Sequence, residues 1–482
     1  MPSADTHDVV VIGGGPVGVS TALMCARRGL TAVVVERSTD VYDLPRAIVM
    51  DDEIQRAIHL AGAGAGLAAV TSPVPGAEFV DVDGNRIIGI EIPDGIDFAF
   101  GFHPVVRYYQ PQLEEFLRHE ALAAGVELRL GVDAVSVGQD DSSAWATLAD
   151  GTTVRGTWLV AADGAASPVR KSLGIAFDDQ GFDQDWLVVD TQLADDGDHG
   201  LPRLVQQICD PARPVTFVPG HDRYRRWEFQ LLPGETREQM TDPDTVWRLL
   251  TPWLSPDEAH IVRAVVYRFH ATVASTMRSG RIFLAGDAAH QMPPFLGQGL
   301  CSGVRDAANL SWKFASVKAG VAGEALLDTY DAERRPHAAG VVAHAADTGR
   351  TIDQLSGRGD TGADLENAYG GQRPFPHLTA GFVAGDHPFT GRQVPNPRVG
   401  DGRLDDAIGV GFGVVLPPSF DSSAPVIETW RRLGATIVTT PALAAGGLDA
   451  AVVVRPDRYV AAVAADTDRL TRLTADLMDH LR

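Results

Sequence analysis

Two carboxylates in this chain stand at the ends of apolar runs of strand length, where open α/β sheets place their ligands. Asp287 follows the run 282–285 and Gly286, and Glu36 closes the run 31–35. A carboxylate so placed can accept hydrogen bonds from the hydroxyls of a ribose or polyol. After Asp287 come Pro293 and Pro294, which stiffen the chain and donate no backbone hydrogen bond, and then Gly297, Gln298 and Gly299, which let the main chain approach a ligand closely. A helix is expected from about Cys301. Its opening N–H groups and positive dipole end suit an electron-rich ring edge that becomes anionic on reduction. The pyrimidine edge of a flavin is such a ring.

Glu36 belongs to a complete βαβ unit. The apolar strand 8–12 runs into Gly13-Gly14-Gly15-Pro16-Val17-Gly18, residues 19–28 have helical spacing, and a second strand ends at Glu36. In this G-x-G-x-x-G pattern Gly13 permits the tight turn, Gly15 lets a pyrophosphate lie against the backbone, and Gly18 allows close helix packing. Glu36 disfavours a 2′-phosphate through charge repulsion. No second fingerprint follows another strand. Residues 62–66, Gly-Ala-Gly-Ala-Gly, lack the third glycine spacing and read as a loop. One dinucleotide is therefore held tightly, and any nicotinamide visits transiently. A third motif lies between the two: the strand 157–162 ends in Asp163-Gly164, followed by Ser167, Pro168 and Arg170. Ordinary helix capping by Ser167, with Pro168 at the first helical position, accounts for that stretch equally well.

Gly13 to Gly18, Asp163-Gly164…Arg170 and Gly286-Asp287-Ala-Ala-His290, in this order, resemble the three signatures of the single-component FAD-dependent aromatic hydroxylases of the p-hydroxybenzoate hydroxylase fold. Further segments, among them Tyr42-Asp-Leu-Pro-Arg-Ala47, Arg225-Arg-Trp-Glu-Phe-Gln230 and Leu327-Asp-Thr-Tyr-Asp-Ala-Glu-Arg-Arg335, are similar to the 3-(3-hydroxyphenyl)propionate hydroxylase branch. The resemblance implies FAD as cofactor and NADH or NADPH as transient co-substrate. By position it implies that Glu36, with Arg37 beside it, holds the adenosine ribose. Arg46 and Gln110 would lie near the ribityl chain, and Asp287 on the ribityl or pyrophosphate side. The N–H groups of Leu300 and Cys301 would meet the flavin carbonyl next to N1. It further implies that Arg226 approaches the isoalloxazine, and that Asp163 and Arg170 serve flavin contact and nicotinamide handling.

The expected chemistry is reduction of the flavin by NAD(P)H, capture of oxygen as a C4a-hydroperoxide, and attack by an electron-rich phenolic ring. That reaction needs a group to draw off the phenolic proton and a site that keeps water out. Pro293 to Leu296 form a rigid apolar wall suited to the second need. For the first, His290, Tyr224, His270 and His103 are candidates, and no single residue stands out; Arg226, His290 and Pro293 are the candidate catalytic set. Neither Arg225 nor Arg226 is assignable to a substrate carboxylate. The alternative is a biosynthetic flavoprotein acting on a polyketide or polyene, with FAD as a structural prop for a non-redox step such as cyclisation. A flavin-bearing sequestering protein is a third possibility.

The net charge of −22 disfavours binding to nucleic acid. Three scattered cysteines, Cys25, Cys209 and Cys301, have no metal spacing and suggest a reducing compartment. No metal is expected. Residues 1–8 lack the apolar core of a signal peptide, and no apolar run reaches membrane-spanning length, so the cytoplasm is the default location. Partners are a small aromatic or polyketide-like substrate and molecular oxygen, and the chain is a monomer or homodimer. The fold class expected is α/β: a discontinuous Rossmann-like FAD domain (1–75, 104–175, 276–345), a β-sheet substrate domain (76–103, 176–275), a connector (346–399) and a thioredoxin-like C-terminal unit (400–482) without redox cysteines.

Overall fold

The computed structural model describes residues 6–44, 46–358 and 376–482. Its first sheet is built from strands apolar on both faces. Ile282–Leu284, Thr153–Ala161, Thr6–Ile12, Ala32–Glu36 and Glu127–Leu130 lie side by side in that order, all parallel. The Val, Ile and Leu residues of the first four are buried because helices cover the sheet. The helices Pro16–Ala26 and Gly299–Lys318 pack so closely that a Cβ at Gly303 would lie 2.4 Å from Val17. All three acid-bearing strand ends thus belong to one sheet: Asp287 and Asp163 follow neighbouring parallel strands, and Glu36 ends a third, separated from them by Thr6–Ile12.

The second sheet is the roof expected from the alternating segments. Its order is His290–Gln291, Ala259–Ala274, Phe177–Leu193, Tyr224–Gln230, Val215–Pro219, Val205–Ile208, Gly76–Val80, Arg86–Glu91. The short strand His290–Gln291 pairs with Ala259–Ala274, so the roof is stitched to the cofactor domain directly after the Gly286-Asp287 motif. The C-terminal unit has the strand order Thr436–Thr439, Gly413–Leu416, Ala451–Val454, Val460–Ala464, with a parallel first pair and antiparallel remainder. Helices Pro425–Arg432 and Thr467–Asp479 complete it. This βαβ-ββα pattern is the expected thioredoxin-like shape. All three cysteines are buried and unbridged.

Two expectations need correction. Residues 62–66, read as a loop, hold a kink at Gly62, φ +79°, between helical segments, and Gly64 opens the helix Gly64–Ala69. Gly62 supplies the left-handed backbone of the kink, whereas Gly66 is there for proximity: a Cβ on it would stand 2.3 Å from the Phe116 ring. The stretch read as a connector from residue 346 begins as helix, because Thr329–Leu355 runs on with Ala346 and Ile352 buried against the roof. Part of that stretch, 359–375, lies outside the described residues. Among the described residues, no helix is long and apolar enough to cross a membrane.

Buried ion pairs fasten the C-terminal unit to the cofactor domain. Asp405 receives Arg56 at 2.7 and 2.8 Å and Arg458 at 2.7 Å. Glu333 receives Lys313 at 2.9 Å and Arg455 at 2.8 Å, and Asp457 binds Arg455 at 2.7 Å and the Trp312 indole N–H at 3.0 Å. Burial alone would raise the Glu333 pKa, but Arg455 and Lys313 prevail and hold it at about 2, against an ordinary 4.5. A carboxylate depressed in the folded state stabilises the fold above its unfolded pKa, and that contribution is lost as pH falls through the folded value. Thermal stability should therefore decline between pH of about 4.5 and about 2. Glu333→Gln, which strands the buried Lys313 ammonium and leaves Arg455 with Asp457 alone, should cost about 3–5 kcal/mol near neutral pH and flatten this acid limb. Melting curves across pH check both.

Candidate functional site

The glycine turn is shaped by exclusion. A Cβ at Gly18 would sit 1.9 Å from the Gly13 carbonyl oxygen, and one at Gly13, whose φ is +103°, would sit 2.3 Å from the Ala162 oxygen. Gly15 is different, for a Cβ there would meet no protein atom within 4 Å. The turn is thus tight where it packs on protein and open at the one glycine that faces outward above the helix start, which is the shape a pyrophosphate requires. Glu36 braces the turn, its carboxylate accepting from the N–H groups of Gly14 at 2.6 Å and Ser38 at 2.9 Å. Arg37 lies exposed beside it.

Asp287 stands at the other end. It is exposed to solvent, yet protein surrounds its carboxylate closely enough for desolvation to raise its pKa, against the pull of His290 and Arg46. Arg46, from the loop on the opposite wall, is therefore close enough to be felt there. That loop is held from behind. Gln110 accepts from the N–H groups of Arg46 at 2.9 Å and Ala47 at 2.6 Å and donates to Glu114 at 2.6 Å. Arg226 donates to the Arg46 carbonyl at 2.6 Å while its other nitrogens bind Asp190 at 2.7 and 3.3 Å.

The helix that closes the site starts at Gly299, two residues before the expected Cys301. Gly297 is left-handed at φ +64°, with Val49 so near that a Cβ would approach it to 2.3 Å. Ser302 N–H to the Gln298 carbonyl, 2.8 Å, is the first bond of the helical ladder, so the N–H groups of Gly299, Leu300 and Cys301 precede it. Cys301 is itself buried, its thiol turned back to the Gly297 carbonyl at 3.4 Å.

The structure refines several expected roles. Asp163 spends its oxygens on the Ser167 hydroxyl at 2.6 Å and the Val169 N–H at 3.0 Å, and Ser167 caps Arg170 N–H at 3.0 Å. The capping reading therefore describes its contacts. Arg170 stacks on Phe177 at 3.7 Å and reaches the Ala288 carbonyl at 3.3 Å, which ties this motif to the Asp287 turn. His290 is 1% exposed and its Nε2 lies 2.8 Å from Asp306. That geometry anchors a loop and does not face a substrate. Gln110 and Arg226 likewise meet the Arg46 loop and brace it. Pro293 is buried in the apolar wall. Of the other candidate bases, His103 is bonded to the Val105 carbonyl at 2.7 Å, and His270 is exposed beside Asp183. Tyr224 stacks on Tyr109 at 3.9 Å.

Asp306 and Arg334 escaped the sequence reading. Asp306 accepts from Gly286 N–H at 3.0 Å and from Arg334 at 2.8 Å as well as meeting His290. Burial pushes its pKa up, but the His290 and Arg334 charges prevail and hold it below the usual carboxylate range. The available signal was charge inside an apolar helix: Arg305-Asp306 sits between Val304 and Ala307.

The open glycine, the enclosed strand-end carboxylate and the helix start together fit a flavin dinucleotide. Residues 6–345 match the family described as the FAD binding domain. Over aligned lengths covering 98% of this chain and 94% of each relative, it is 34% identical to a probable NADH-specific resorcinol 4-hydroxylase of Rhodococcus jostii and 33% identical to a 3-(3-hydroxy-phenyl)propionate/3-hydroxycinnamic acid hydroxylase of Klebsiella pneumoniae. Among solved structures it superposes on the flavin-dependent monooxygenase PieE, with FAD and substrate, at a TM-score of 0.83 and 23% identity, covering 99% of this chain and 100% of that one. A ternary complex of aklavinone-11 hydroxylase with FAD and aklavinone also gives 0.83, at 24% identity and complete coverage of both chains. The chain is a flavoprotein monooxygenase of the aromatic hydroxylase type. It belongs to the FAD-binding-domain family, alongside the resorcinol and 3-(3-hydroxyphenyl)propionate hydroxylases.

Two glycine variants separate packing from ligand space. Gly18→Ala should lower the melting temperature of the FAD-free protein and weaken FAD binding about tenfold to a hundredfold, from 1–3 kcal/mol of overpacking. Gly15→Ala should leave the FAD-free melting temperature unchanged and still weaken FAD binding. Calorimetry and flavin fluorescence titration read the two effects apart.

Proposed function

We propose that this protein uses NADH and molecular oxygen to hydroxylate a small phenolic ring. The observation that carries the reading is a contact between two regions. The Asp287 turn leads within a few residues into an apolar wall whose Phe295 packs on the roof aromatics Trp186, Phe182 and Phe269, at 5.2, 6.0 and 6.0 Å between ring centroids. An apolar wall backed by buried aromatics is rigid and sheds water, which suits an uncharged ring plane beside it. The resorcinol hydroxylase relative, NADH-specific by name, supports both the phenol and the nicotinamide.

Bound FAD would supply the two-electron chemistry, accepting hydride from the nicotinamide and passing an oxygen atom to the ring. The chain's own contribution is positional. Gly13, Gly15, Gly18 and Glu36 would hold the dinucleotide, and Asp287 and Arg46 would meet its sugar chain. The N–H groups that open the helix at Gly299 offset negative charge on the pyrimidine edge. The wall of Pro293, Pro294 and Phe295 keeps water from the oxygen-transfer step, where access would release hydrogen peroxide without product. Tyr224 and Tyr109, stacked at the roof edge, are the hydroxyls suited to relay the phenolic proton.

Mixed with NADH without oxygen, the yellow protein should lose its flavin absorption, and resorcinol should accelerate that loss. Admitting oxygen should then yield a hydroxylated product. Indifference to both NADH and NADPH would defeat this reading in favour of a non-redox role for the flavin. Phe295→Ala should shift electrons from product to hydrogen peroxide, measured as the ratio of peroxide formed to NADH consumed.

A further inference from the structure

Gln298 lies between two glycines, at the hinge where the wall becomes the helix that opens onto the flavin. Such a residue would ordinarily be loose. Here its side chain is 1% exposed and engaged at both ends: its amide nitrogen donates to Asp51 at 3.1 Å, and its oxygen accepts from Arg305 at 3.0 Å. Arg305 stands two turns further along the same helix and spreads its guanidinium over two more acceptors, Asp51 at 2.6 Å and Glu53 at 2.7 Å. Asp51 is itself fixed, since its other oxygen caps the helix Asp52–Ile58 through the Ile54 N–H at 3.1 Å. Glu53 is touched from the far side by the Tyr459 hydroxyl of the C-terminal unit at 3.5 Å.

We propose that Arg305 is a positioning residue for the flavin. Through Gln298 it locks the opening N–H groups of the helix, with Asp51 as the fixed corner and Glu53–Tyr459 as an outer support that links the C-terminal unit to the cofactor. A planar fork can serve three acceptors at once, and an ammonium point charge cannot hold the same triangle. Dipoles that are already oriented stabilise developing charge without reorganisation, and a slack hinge forfeits that advantage. The reduced, anionic flavin gains more from the helix start than the oxidised form. Loss of the lock should therefore weaken binding of reduced flavin more than that of oxidised flavin.

The inference rests on the reading that this helix start faces the flavin pyrimidine, and the test separates the two. Arg305→Lys, Gln298→Met and Leu300→Pro are each prepared as the FAD-loaded enzyme, and flavin reduction potential, FAD dissociation constant and melting temperature are measured. Proline is tolerated in a first helical turn and removes one N–H. In Arg305→Lys and Gln298→Met the potential should fall by about 30 mV, the equivalent of a tenfold selective loss for the reduced form in a two-electron couple. Tyr459→Phe should move it in the same direction by less. If Arg305→Lys does not fold, Gln298→Met decides. A wild-type potential in folded Gln298→Met or Arg305→Lys, together with a lowered potential in Leu300→Pro, overturns the positioning role and leaves the helix placement standing. A wild-type potential in all of them overturns the placement as well.

Discussion

A carboxylate with no access to water must be met by donors on every side, and Asp306 draws three separate parts of the molecule to itself in meeting that demand. Gly286 comes from the end of a central strand, His290 from the first stitch of the roof, and Arg334 from the long helix behind. None of these contacts reaches a ligand directly. Together they fix the turn that carries Asp287, so the direction in which that side chain points is decided by a residue at its back.

The same economy recurs around the cleft. Arg226 and Gln110 grip the Arg46 loop from opposite sides through backbone groups, and Asp163 shapes its own turn while Arg170 crosses to the next motif. Side chains whose types suggest chemistry spend their polar atoms on the scaffold, and what they leave for the proposed ligand is backbone N–H groups, a carboxylate and a proline-rich wall. Such a site derives its properties from rigidity, in keeping with a cofactor that brings its own reactivity. The C-terminal unit takes part in that rigidity. Trp312, on the helix that starts at Gly299, is buried in the C-terminal core and hydrogen-bonded to Asp457.

What could be read from the sequence was whatever residue type dictates locally. Gly13 and Gly18 announce a turn because another side chain would collide there, Pro293 and Pro294 announce a stiff wall, and alternating strands announce a roof. The parallel sheet, the three acid-bearing strand ends and the thioredoxin-like tail followed from such signals. What could not be read depended on partners distant in the chain. Asp51 and Arg305 are 254 residues apart and meet at 2.6 Å, and neither residue type foretells the other. His290 and Arg226 have the composition of catalytic groups, and their surroundings assign them to anchoring. The helix Thr329–Leu355 was obscured past residue 346 because its inner face relies on alanine and glycine, including Gly349 against Phe182 and Phe295, where a larger side chain would not fit.

The sheet beneath the cofactor also carries a consequence for how the chain is made. Its strand Ile282–Leu284 pairs with Thr153–Ala161, and the long strands of the roof are interposed between them. A growing polypeptide therefore exposes the glycine turn early and must synthesise the long strands of the second sheet before the strand that presents Asp287 can dock. Contacts of such high sequence separation are slow to form. The nascent nucleotide fold passes through a period in which one flank of its central strands is uncovered, and the cofactor, arriving last, finds a pocket whose walls were translated far apart in time.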